Sequence, residues 1–140
     1  MQEKIMVVGS GLMGSGIAQA CAEAGFEVLL ADVSLELAEN GLAKIKHFLQ
    51  RKVEKGKLET AQLETILKNI SAVDNLEAGS NVDLVIEAVP ENVEIKKDIF
   101  TRLDRICKKE TLFASNTSTI SITLLGGFTE RPGQVVGMHF

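Results

Sequence analysis

Cysteine is scarce in this 140-residue chain: only Cys21 and Cys107 occur, with no CxxC pairing and no histidine at ligand spacing. No metal centre is therefore expected, and both are read as free thiols of a reducing cytoplasm. Long apolar runs are missing too. None approaches the roughly 18 residues that a membrane span needs, so no membrane partner is expected. Basic charge is in deficit, with 15 Lys and Arg against 19 Asp and Glu, for a net charge of −4. That balance argues against a nucleic-acid surface. The first strand pattern starts at Lys4, which is expected to leave no room for a signal peptide. Internal repeats, low-complexity segments and an interdomain linker are also lacking. With 45% hydrophobic residues, residues 1–140 are expected to form one domain around a sizeable core.

The most informative stretch is Lys4 to Asp32, KIMVVGSGLMGSGIAQACAEAGFEVLLAD. It reads as a buried strand, the hexamer Gly9-Ser10-Gly11-Leu12-Met13-Gly14, a helix, and a second apolar strand ending in an acid. A lone GxGxxG is weak evidence, but here its context is the one a dinucleotide-binding fold requires. Gly9 serves the sharp turn, Gly11 admits a pyrophosphate close to the backbone, and Gly14 lets helix and sheet approach. The helix's first N–H groups then face the phosphates. Asp32 follows Gly14 by 18 residues, close to the spacing of the acid that accepts hydrogen bonds from the adenosine ribose. A carboxylate there repels a 2′-phosphate, so NAD is favoured over NADP.

Further along, Ile17, Ala20, Cys21 and Ala24 are expected on the buried face of the first helix, with Gly25 closing it. Glu27 to Ala31 is the second strand. Ser34 caps a long helix from Leu35 to about Lys55, whose length of about 30 Å exceeds what a crossover needs. A shorter helix around Leu63, Ile66 and Leu67 completes an inserted helical hairpin spanning Leu35 to Lys68. Ile70 to Val73 is a short strand, and 75–81 a loop or single turn. Val82 to Val89 is the strongest central strand. Ile95, Ile99, Leu103 and Ile106 form the apolar stripe of the next helix. Thr111 to Ser115 is a strand followed by the polar turn Asn116 to Thr119. Ser121 caps a short helix through Leu125, and Gln134 to Phe140 opens a last strand. The expected fold is α/β: a Rossmann-type, doubly wound, mainly parallel sheet with an inserted helical hairpin.

Ligands of such sheets bind outside the carboxyl ends of the strands. Asp32, the Glu87 to Glu91 region, the Asn116 to Ser118 turn and His139 all lie at such ends. An enzyme that oxidises an alcohol with a nicotinamide needs a base for the hydroxyl proton, and His139 suits the task near neutral pH. A core role for His139 and ordinary turn chemistry for 116–119 are the plain alternatives. The long helix also carries Lys44, Lys46, Arg51, Lys52 and Lys55, interrupted by Glu54. Such a run is ordinarily a solvated face; the functional alternative is contact with a phosphorylated substrate.

Four segments in order, GSGLMGSGIAQ, VIEAVPENVEIK, ASNTSTISIT and GMHF, together with Asp32, resemble the NAD-binding domain of the 3-hydroxyacyl-CoA dehydrogenases, including the 3-hydroxybutyryl-CoA type. The resemblance covers essentially the whole chain and includes the inserted hairpin. It implies that His139 is the base toward the 3-hydroxyl of an acyl-CoA. It implies that Ser118 binds the substrate oxygen beside the nicotinamide. Glu91 and Lys96 match cofactor contacts, with Leu12 and Met13 in the glycine turn, and Lys55 falls near a lysine that contacts CoA. Phe48 stands where some members carry a CoA-contacting serine. In the family, the sequence continues to a glutamate that orients the histidine and to a helical domain that forms a homodimer. The chain alone is therefore expected to bind NAD but to turn over acyl-CoA poorly. A non-enzymatic NAD-binding or structural protein is the alternative from another class. A different β-hydroxyacid dehydrogenase is the third, although the hairpin and the Asn116–Thr119 turn speak against it.

Overall fold

Among the described residues six strands build one sheet, and every pairing is parallel. A computed structural model describes residues 3–140; Met1 and Gln2 lie outside the described residues. The strands are β1 (Lys4–Val8), β2 (Glu27–Ala31), β3 (Ile70–Val73), β4 (Leu84–Glu87), β5 (Leu112–Ser115) and β6 (Val135–Gly137), in the order β3-β2-β1-β4-β5-β6. The chain winds outward from β1 in both directions, so the strand order reverses beside β1, where ligands of such sheets bind.

Alternation along each strand feeds two cores. Ile5, Val7, Val28, Leu30 and Ile86 face one side, where α1 (Leu12–Glu23), α2 (Leu35–Glu54) and α3 (Thr60–Lys68) cover them with Ile17, Ala18, Ile45, Leu49 and Ile66. Met6, Val8, Val85 and Phe113 face the other. There they meet Ile99, Phe100 and Leu103 of α4 (Val93–Ile106) and Leu125 of α5 (Ile122–Gly126). Continuous apolar strands are what a sheet covered on both faces demands.

The helical hairpin is present. Ser34 Oγ accepts from Leu37 N at 3.2 Å to start α2, and Gly56, at φ +71°, turns the chain toward α3. A reciprocal cap between Glu59 and Gln62 starts α3. No residue from 50 to 65 is buried, and the hairpin's end meets the core through the half-buried Leu58 and Leu63.

Two buried faces differ from expectation. On α1 the buried row is Gly14, Ala18 and Ala22 with Ser15 and Ile17, whereas Ala20 and Ala24 are exposed and Cys21 is half-buried. The close seat of Gly14 turns that row toward the sheet. On α4, Ile99 and Leu103 are buried as expected, but Phe100 and Lys96 join them and Ile95 is exposed. The rotation takes Lys96 inward, to a buried carboxylate.

The central strand is shorter than the apolar run. Val82 N donates to Gly79 O within a turn, and after Glu87 the turn at Gly9 crosses so closely that the chain leaves the ladder. The last strand is shorter too. Gln134 ends the 3-10 turn Pro132–Gln134, and its amide donates to the carbonyls of Lys109 and Thr111. The two thiols are unpaired. Burial pushes the Cys107 thiol up to about 11 despite Arg131 nearby, and it raises that of Cys21. Among the described residues no helix is long and apolar enough to cross a membrane.

Candidate functional site

At the carboxyl end of β1 the glycine turn is shaped by contacts that leave no room for side chains. Gly9 adopts φ +107°, and a Cβ there would lie 2.5 Å from the Ala88 carbonyl oxygen. A Cβ on Gly14 would lie 1.7 Å from the Gly9 carbonyl oxygen, so α1 is seated directly on the turn. Gly11 is different: a Cβ there would meet nothing within 4 Å. Its bare backbone faces a cleft of about 1150 Å³. No side chain caps α1, and its first turn carries no acid. The amides of that turn thus form an uncovered cradle of the kind that suits phosphate. Gly9, Gly11, Leu12, Met13 and Asp32 line the cleft, and Ala88, Val89, Pro90, Ile95 and Ile99 line it as well. Gly14 supports the cradle from below.

Asp32 Oδ1 accepts from Val33 N at 2.7 Å. Its Oδ2 accepts from Ser10 N at 2.9 Å and from Ser10 Oγ at 2.5 Å. Partial burial opposes ionisation, but the Ser10 hydroxyl and the Ser10 and Val33 amides together hold the carboxyl below its ordinary range. The carboxylate is thus ionised where it lines the cleft. Ser10 was not singled out by sequence, because it occupies a free position of the fingerprint. It is 4% exposed, and its hydroxyl also faces Leu37 O at 2.8 Å. Gly41 of α2 completes the joint, since a Cβ there would lie 2.8 Å from Ser10 O and 2.9 Å from Ser15 Oγ.

A second cluster sits below the 116–119 turn. Lys96 Nζ and Glu87 Oε2 are 2.5 Å apart, with the two side chains 1% and 0% exposed. Lys96 also reaches Glu91 Oε1 at 3.1 Å and Val89 O at 3.2 Å, so all three of its protons have acceptors. Glu91 Oε2 accepts from the hydroxyls of Thr117, at 2.6 Å, and Thr119, at 2.5 Å. Those two bonds outweigh the desolvation that opposes them and, with Lys96 adding to them, hold the Glu91 carboxyl down to about 2. Glu91 lies at the surface, 39% exposed. Lys96 does not reach the cleft; it lies underneath, gripping both acids. The full burial of Glu87 went unforeseen, although an acid inside the run VDLVIEAV was its signal.

Ser118 is exposed between Thr117 and Thr119. His139 is exposed just beyond β6, without a hydrogen-bond partner among the described residues. Met138 N donates to Ser115 O at 3.0 Å. The chain entering His139 is thereby tied to the residue from which the 116–119 turn departs. Neither Ser118 nor His139 is among the cleft-lining residues. Both lie along the same carboxyl edge, past β4.

The basic run of α2 divides between two places. Lys44 lines the cleft. Arg51, Lys52, Lys55 and Lys57 line a separate groove of about 490 Å³ between α1 and α2, together with Phe48 and Leu12. Lys52 is paired with Glu23 at 2.7 Å, while Arg51, Lys55 and Lys57 have no ion pair among the described residues. Lys46 is exposed outside both.

A doubly wound parallel sheet with an open glycine cradle and an ionised acid at the end of β2 defines a dinucleotide-binding domain. Residues 4–140 match the family model of the 3-hydroxyacyl-CoA dehydrogenase NAD-binding domain, and the chain belongs to that family. It is 47% identical over 138 residues to a probable 3-hydroxybutyryl-CoA dehydrogenase of Bacillus subtilis, covering 99% of this chain and 48% of the relative. The corresponding enzyme of Clostridioides difficile is 43% identical over 137 residues, covering 98% of this chain and 49% of that relative. The crystal structure of (S)-3-hydroxybutyryl-CoA dehydrogenase from Ralstonia eutropha superposes with a TM-score of 0.96 at 38% identity, over 100% of this chain and 50% of that one. The chain therefore spans about half the length of these relatives.

Proposed function

We propose that this chain is the cofactor half of an NAD-dependent 3-hydroxyacyl-CoA dehydrogenase, acting between 3-hydroxyacyl-CoA and 3-oxoacyl-CoA in the cytoplasm. The observation that carries the reading is the shared carboxyl edge. The glycine cradle, Asp32, the turn bearing Ser118 and the segment entering His139 all lie along it. Bound NAD supplies a hydride acceptor, or a donor in the reverse direction. Asp32 would hold the adenosine ribose, the first-turn amides of α1 would hold the pyrophosphate, and Glu91 would serve the nicotinamide end. Ser118 Oγ donates to the substrate oxygen at C3. His139 takes the hydroxyl proton during oxidation and returns it during reduction. The groove at Lys55, with Arg51 and Lys57 unpaired, takes the phosphates of CoA. The relatives run to about twice this length, and a helical domain outside these 140 residues would orient His139 and make the homodimer contact.

Titrating the chain separately with NADH, NADPH and acetoacetyl-CoA tests this. NADH should bind at least tenfold more tightly than NADPH, because the ionised Asp32 faces the extra phosphate. Lys55→Ala should weaken acetoacetyl-CoA and leave NADH unchanged. Equal or tighter binding of NADPH would overturn the cofactor assignment. Full-rate NADH formation from a 3-hydroxyacyl-CoA by these residues alone would overturn the division of labour.

A further inference from the structure

Ser118 has no hydrogen bond of its own among the described residues, yet its neighbours are held on every side. Thr117 and Thr119 donate to one oxygen of Glu91, and Thr119 N adds a longer bond of 3.3 Å to the same oxygen. The other oxygen of Glu91 is held by Lys96. Lys96 is anchored by Glu87, which is fully buried on β4. Glu87 also grips the turn from its other end: its Oε1 accepts from Ser115 Oγ at 2.5 Å, and Ser115 Oγ in turn accepts from Thr117 N at 3.2 Å. Glu87 Oε2 further accepts from Val89 N at 2.7 Å, which fixes the segment leading to Glu91.

Resting on the placement of Ser118 at the nicotinamide end, we propose that Glu87 is a positioning residue. Its buried carboxylate, acting through Lys96 and Ser115, sets the position of the 116–119 turn and so of Ser118. The physical reason is competition between two acids for one cation. Lys96 has three protons and two carboxylate partners, and burial makes losing one charged partner expensive. In the Glu87→Gln variant, Lys96 retains Glu91 as its single carboxylate. It draws Glu91 inward, off Thr117 and Thr119, and the turn loses its anchor. A carboxylate that merely filled the core would leave the turn unaffected.

Binding of NADH compared with ADP-ribose, which lacks the nicotinamide, separates these roles in the chain as it stands. Glu87→Gln should weaken NADH about tenfold, the loss of roughly one charged hydrogen bond, and leave ADP-ribose within about twofold. The double variant Thr117→Val/Thr119→Val, cut at the far end of the same chain of contacts, should show the same selective loss. If Glu87→Gln does not fold, Ser115→Ala carries the test, with a selective loss of about threefold, since Glu87 loses the donor to Oε1 but keeps Lys96 and Val89 N on Oε2. Equal weakening of both ligands by Glu87→Gln would show a structural role and overturn the proposal. So would an unmoved ratio, provided the double threonine variant moves it. If the double threonine variant leaves the ratio unmoved, the placement of the turn at the nicotinamide end fails first, and the proposal with it.

Discussion

Replacing Ser10 by Ala removes one hydroxyl that stands between the glycine turn, Asp32 and α2. The hydroxyl has a single proton and faces two acceptors, Asp32 Oδ2 at 2.5 Å and Leu37 O at 2.8 Å. Its loss leaves one acceptor short of a partner, a defect of about 1–3 kcal/mol. Asp32 keeps its two backbone donors, which places the expected loss in the lower part, about 1–2 kcal/mol. For a domain of this size that lowers Tm by roughly 3–8 °C. The pH dependence has a definite sign. The folded carboxyl of Asp32 titrates below its ordinary 3.8, so its ionised form stabilises the fold above that value. This contribution is lost as pH falls from 3.8 through the folded value. The variant narrows the gap between folded and unfolded values. The Tm difference between wild type and variant should therefore be full at pH 7 and shrink below about pH 4. It should not vanish, because the bond to Leu37 O is indifferent to pH. Thermal melts followed by circular dichroism from pH 7 to pH 3.5 measure both features. An unchanged Tm at pH 7, or a difference that grows as pH falls, would refute the reasoning.

Two further substitutions probe how the site is held. Gly41→Ala places a methyl group 2.8 Å from Ser10 O, so α2 must shift; a loss of about 1–3 kcal/mol is expected, read from the urea midpoint, and an unchanged midpoint would count against the close seat. Arg131 stacks on Phe113 at 4.8 Å, pairs with Asp104 at 2.7 Å and donates to the Lys108 carbonyl at 2.7 Å. Arg131→Ala should lower stability by about 2–4 kcal/mol, measured by denaturant unfolding, and a loss below about 1 kcal/mol would show the fork to be dispensable.

What was legible in the sequence was local. The strand-turn-helix-strand unit ending at Asp32 is readable because each signal lies within a few residues of the structure it causes. The caps at Ser34 and Ser121 are of the same kind: each accepts from the amide three residues on. The misread features depend on partners distant in sequence. Which face α1 buries is decided by the Gly9 carbonyl beneath Gly14. Whether Lys96 meets solvent is decided by Glu87, and Thr117 and Thr119 hold Glu91 from 26 and 28 residues away. The resemblance reads Lys96 as a cofactor contact; lysine is rarely buried unless paired, and the pairing of Lys96 with Glu87 is a tertiary fact. Similarly, the basic run of α2 looks like one patch in sequence. Yet Lys44 and Lys55 are about 16 Å apart along a helix axis, far enough to serve two different cavities.

The same helix explains why those two cavities are neighbours. Gly41 lets α2 approach the back of the glycine turn, and Ser10 joins that turn to Asp32 and to Leu37. Leu12, 73% exposed at the start of α1, lines the dinucleotide cleft on one side and the basic groove on the other. A single packed joint between α1 and α2 therefore sets the width of both. A shift of α2 that opened the groove would also move Leu37, Asn40 and Lys44, which line the cleft, and would pull on the hydroxyl that orients Asp32. The inserted hairpin is thus more than a platform for cations, because its first helix is built into the wall of the dinucleotide site.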